Sequence, residues 1–72
     1  MAKLPIISGR QLIKTLSKLG YYKARQRGSH IRLACSDRKS VTIPDYKVID
    51  RFLLKKILRD AELTIEEFMN IY

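Results

Sequence analysis

Sulfur chemistry is almost missing from this 72-residue chain, whose single cysteine is Cys35. One cysteine forms no internal disulfide, and with one histidine, His30, it builds no structural zinc site. That usage fits a reducing compartment. Tryptophan is absent, glycine occurs three times and proline twice, so no glycine-rich phosphate loop and no Pro-rich linker is available. Long apolar runs are missing as well. None approaches the roughly 18 residues needed to span a bilayer, and Met1–Pro5 lacks a signal-peptide apolar core. A cytoplasmic protein without membrane or metal is therefore expected.

Negative charge is scarce where it matters. The formal net charge is +8, yet residues 1–39 carry ten Lys and Arg against one acid, Asp37, and residues 40–72 carry five against six. The entire basic excess lies in the first half. Such a field favours a polyanionic partner through steering and counterion release. The remaining carboxylates, Asp45, Asp50, Asp60, Glu62, Glu66 and Glu67, cluster toward the C-terminal end, which argues against a two-metal nuclease.

What is present reads as a single domain over residues 1–72, with 46% hydrophobic and 31% charged residues. Ser8 and Gln11 have capping-box spacing, Leu12, Ile13, Leu16 and Leu19 recur on one helical face, and Gly20 supplies a stop, predicting a helix from about residue 9 to 19. Arg10, Lys14 and Lys18 form a basic row along it. Three strands follow: Tyr21–Arg27, His30–Cys35 and Ser40–Pro44, the last two joined by Ser36–Lys39. Period two sets Ile31, Leu33 and Cys35 on one face and His30, Arg32 and Ala34 on the other. Val41 and Ile43 continue the apolar side, and Pro44 closes the last strand.

A second helix is expected from somewhere near residues 46–51 to about Ala61, with Ile49, Phe52, Leu53, Ile57, Leu58 and Ala61 as its apolar stripe and Arg51, Lys55 and Arg59 as a basic row. Thr64 and Glu67 repeat the capping-box spacing before Ile65, Phe68, Met69 and Ile71. Helix, three antiparallel strands, helix and a short C-terminal helix make an α+β fold in which helices cover one sheet face. His30 then belongs to the uncovered face.

His30 is the one side chain whose ordinary pKa lies near neutrality. Among Arg25, Arg27 and Arg32 it suits RNA cleavage, because RNA supplies its own nucleophile, the 2′-OH, and the enzyme need only move protons and steady a charged phosphorane. In that reading Lys23, Arg25, Arg27 and Arg32 bind phosphates, while Gly28 and Ser29 set the position of the histidine. From spacing alone, Gly28-Ser29-His30 reads more readily as a surface strand with no catalytic duty. Tyr21 and Tyr22 fall on opposite faces, one for the core and the other free to stack on a base. Cys35 reads as a small core residue. A non-catalytic RNA-binding module, and a basic face that docks an acidic protein, remain the alternatives.

Several segments, taken in order, resemble the HicA toxin family: Leu16-Ser17-Lys18-Leu19-Gly20-Tyr21, Gly28-Ser29-His30, Val41-Thr42-Ile43-Pro44, Leu54–Ala61 and Leu63–Phe68. The resemblance implies a double-stranded-RNA-binding-domain-like fold and an endoribonuclease toxin that cleaves mRNA, with His30 as the catalytic residue and no cofactor. It further implies a HicB-type antitoxin that blocks that site. Two positions depart from the family pattern. Asp45-Tyr46 stands where many members have a histidine after the strand-ending proline, and Phe52-Leu53 replaces a Gly-Thr near the start of the last long helix.

Overall fold

A computed structural model describes residues 3–72 of the chain; Met1 and Ala2, part of the N-terminal segment considered above, lie outside the described residues. The elements run α1 (Gly9–Ser17), β1 (Tyr22–Arg27), β2 (His30–Cys35), β3 (Arg38–Pro44), α2 (Arg51–Asp60) and α3 (Ile65–Ile71). The strands form one antiparallel sheet in the order β1-β2-β3. This is the α+β order expected from the sequence pattern, in the double-stranded-RNA-binding-domain-like arrangement that the family resemblance implied.

Local chemistry fixes the helix ends. Ser8 caps α1 reciprocally with Gln11: the Gln11 amide donates to Ser8 Oγ at 3.1 Å and the Ser8 amide donates to Gln11 Oε1 at 3.0 Å. The regular helix stops at Ser17, two residues before its predicted end. A tighter turn continues it, with Lys18, Leu19 and Gly20 amides donating three residues back, until Gly20 turns the chain at φ 101°. Thr64 and Glu67 form the second capping box, at α3. Asp50 caps α2 by accepting from the Leu53 amide at 2.9 Å.

The far end of α2 carries no glycine. Glu62 takes the left-handed position at φ 60°, its amide donating to Arg59 O and the next amide, Leu63, donating to Leu58 O. These are the two bonds of a Schellman stop, made without the usual residue.

The core joins Leu12 and Leu16 of α1, Ile31 and Leu33 of β2, Val41 and Ile43 of β3, Leu54, Ile57 and Leu58 of α2, and Phe68 of α3. Cys35, expected in the core, is half-buried and packs at its margin. Phe52 does not join the stripe assigned to it and is 88% exposed. The stripe runs through Leu54, Ile57, Leu58 and Ala61, and a residue two positions before Leu54 lies about 200° around the helix, on the solvent side. Leu53 is only partly buried.

Residues of β2 and β3 pack with the helices in the core, whereas all six residues of β1 are exposed. A β-bulge interrupts β1: Lys23 pairs with Leu33 and Arg25 with Arg32, leaving Ala24 as the extra residue. Its effect on the site is decisive.

Candidate RNA-binding and active site

Directly paired residues of antiparallel strands point to the same face. Arg27 pairs with His30, Arg25 with Arg32, and Tyr22 with Ala34, so these six side chains share the sheet face opposite the core. His30 and all three arginines are exposed. Opposed Cβ atoms lie about 5 Å apart, so the imidazole stands beside one guanidinium and two residues along its strand from the next. Thr42, paired with Arg32, adds a hydroxyl that accepts from Arg32 Nη1 at 3.1 Å. The strands contain no Asp or Glu. Among the described residues the ion pairs are Arg10–Asp45 and Lys56–Asp60, and none involves the arginines of this face.

The turn that delivers His30 has two residues, Gly28 and Ser29, between the paired Arg27 and His30. Only Gly28 of the two has a positive φ, 58°, the sign pattern of a type II′ hairpin with glycine first. Flanking groups hold this turn. The Asp45 amide donates to the Ser29 carbonyl at 2.6 Å, and Gln26 Nε2 donates to the Gly28 carbonyl at 3.0 Å. Asp45 in turn pairs through its carboxylate with Arg10 at 3.2 Å, and the Gly9 amide donates to the Tyr46 carbonyl at 2.9 Å. The start of α1, the exit of β3 and the histidine-bearing turn are thereby one bonded unit.

Lys23 is not in this cluster. The bulge carries it to the other side of β1, where it donates to Gln26 Oε1 at 3.0 Å and lines a groove with Arg10, Ile13, Gln26, Ile31 and Asp45. Strict alternation would have grouped Lys23 with Arg25 and Arg27 and separated Tyr22 from them. The basic row of α1 is also partly engaged at home, since Arg10 holds Asp45 and Lys18 Nζ donates to the Ile71 carbonyl at 2.7 Å.

The parts that Gly9 and Asp45 play in holding the turn carry no sequence signal. A Cβ on Gly9 would collide with the Pro44 carbonyl, and the Asp45 contact to Ser29 is made by backbone, which no side-chain pattern signals. Tyr21 is the buried member of its pair, donating its hydroxyl to the Lys39 carbonyl at 2.8 Å, and Tyr22 is the exposed one. Among the described residues no three His, Cys, Asp or Glu side chains converge as a metal-ligand set. No helix among them is long and apolar enough to cross a membrane.

A family model described as the HicA toxin of bacterial toxin–antitoxin systems matches residues 9–63, from the first residue of α1 to just past α2. The chain belongs to the HicA toxin family. No curated protein matches it. The matched stretch of this HicA toxin includes the whole sheet and the Gly28-Ser29-His30 turn, and α3 lies beyond it. As a HicA toxin the chain is one member of a toxin–antitoxin pair, and its partner is an antitoxin.

Proposed function

We propose that this HicA toxin is a metal-independent endoribonuclease that cleaves mRNA by 2′-OH transesterification, with His30 as the general base. His30 accepts the 2′-OH proton as that oxygen attacks the adjacent phosphorus. The bond from phosphorus to the 5′ oxygen then breaks, the leaving oxygen takes a proton from water, the resulting hydroxide takes the proton held by His30, and the products are a 2′,3′-cyclic phosphate and a 5′-hydroxyl end. Arg25, Arg27 and Arg32 hold the substrate phosphates and offset the charge of the phosphorane. Gly28 and Ser29 set the position of the histidine. Lys23, on the other side of β1, binds phosphates only where the strand wraps the sheet edge. A HicB-type antitoxin neutralises the toxin by covering His30.

The observation that supports this reading is an exposed imidazole flanked by guanidiniums on a face whose strands carry no carboxylate. His30→Ala should abolish cleavage of labelled RNA in the presence of chelator, and abolish growth inhibition, with an unchanged circular dichroism spectrum because the side chain lies outside the core. Undiminished cleavage by that variant would remove His30 from the reaction. A second reading, an RNA-binding module without catalysis, is favoured by the presence of only one histidine in the chain. It predicts that the unmodified protein binds RNA and leaves it intact.

A further inference from the structure

The bulge at Ala24 does more than displace Lys23. By rephasing β1 it brings Tyr22, 60% exposed, onto the same face as Arg25, Arg27, His30 and Arg32. The face therefore reads, in register order, as imidazole with guanidinium, then two guanidiniums, then one phenol ring opposite Ala34. We propose that Tyr22 is a base-stacking subsite for single-stranded RNA, placed about two nucleotides from the phosphate that sits at His30.

Chemical class, spacing and strand geometry all favour this subsite. The first is chemical class: a basic track that ends on an exposed aromatic ring matches a strand with phosphates along one edge and free base faces. The side chain opposite the ring is a single methyl group, which leaves the ring face open to a planar partner. The second is spacing. Four residue steps along β2 lead from His30 to Ala34, the partner of Tyr22, a rise of about 13 Å, or roughly two nucleotides of extended strand. Arg25 and Arg32 fall midway, where the intervening phosphate would lie. The third is strand geometry. In-line attack by a 2′-OH needs the backbone turned out of A-form, and stacking on protein needs a base free of its helix, so both ends of the track select unpaired RNA.

This inference rests on the reading of the face as an RNA site but not on His30 as its catalyst, and binding separates the two. Labelled oligoribonucleotides are titrated with the His30→Ala protein, intact on a gel afterwards, at about 0.15 M salt. Tyr22→Ala in that background should weaken single-strand binding about tenfold, and Tyr22→Phe less than about twofold, since stacking needs the ring and not the hydroxyl. A duplex of equal length should bind more weakly than the single strand and be indifferent to Tyr22→Ala. In the cleaving protein, Tyr22→Ala should raise KM with little change in kcat. Unchanged affinity in Tyr22→Ala, a loss in Tyr22→Phe equal to that in Tyr22→Ala, or a duplex preference would overturn the subsite. Loss of stacking with cleavage retained at His30 would leave the catalytic proposal standing, and the converse result would leave the subsite standing.

Discussion

At the scale of single residues, the two adjacent tyrosines show how one backbone step divides core from open surface. Tyr21 is buried against the core and its hydroxyl donates to Lys39 O, while Tyr22 lies open on the arginine face. Burial, and then the nearby Cys35, pushes the Tyr21 phenol above its ordinary value of 10.0, against the opposing pull of Arg38. The neutral form is thus favoured in the folded state. Its contribution is fully present below the unfolded value and is lost as pH rises through the higher folded value. Tyr21→Phe should cost about 1 kcal/mol near neutral pH through the lost hydrogen bond. It should also remove this residue's share of the alkaline loss, so that urea-unfolding stabilities of variant and parent converge above pH 10.0. A gap that stays constant there would mean that the phenol does not titrate with folding.

At the scale of elements, the junction of α1 with the exit of β3 controls where the histidine-bearing turn sits. Gly9 lets the first turn of α1 press against the Pro44 carbonyl, and its amide binds Tyr46 O. Gly9→Ala forces these elements apart. A loss of about 1–3 kcal/mol is expected from overpacking, read by thermal or urea unfolding, and RNA cleavage should fall further than stability alone explains because Asp45 would release Ser29. Cleavage that merely tracks the folded fraction would detach this junction from the site.

Much of this level was legible beforehand. The two capping boxes, the alternation along His30-Ile31-Arg32-Leu33 and the apolar side of Val41 and Ile43 each encode their own geometry through spacing. The bulge was not legible, because an edge strand with six exposed residues carries no apolar alternation from which a slip in phase could be read. Phe52 misled for the opposite reason: hydrophobicity suggested a core position, but the helix phase set by Leu54, Ile57 and Leu58 turns it outward. The Glu62 stop of α2 relies on a left-handed residue that sequence associates with glycine. Of the candidate site, the proximity of His30, Arg25, Arg27 and Arg32 followed from period two in β2 and the short turn, whereas the placement of Lys23 and Tyr22 depended on the hidden bulge.

At the scale of the whole molecule, charge is sorted by position. A chain of net charge +8 puts three arginines and a histidine on one open face, while Asp45 serves Arg10 on the other side and Asp50 and Glu67 serve helix ends. Salt should therefore act on the toxin with two signs. Single-strand RNA binding should weaken with a log–log slope near about −2 if the three arginines each neutralise a phosphate, and Arg25→Ala should reduce that slope by about 0.7, whereas Lys55→Ala on α2 should leave it unchanged. The free protein should become more stable as salt screens its self-repulsion, measured as a rise in Tm. A slope insensitive to Arg25→Ala would place the RNA elsewhere.

Arg25 and Arg32 stand directly opposite one another across β1 and β2, a like-charge pairing that weakens a sheet. An anion seated between the two guanidiniums relieves a tension that the chain built into its own outer surface, and so acts as a missing structural member of the sheet.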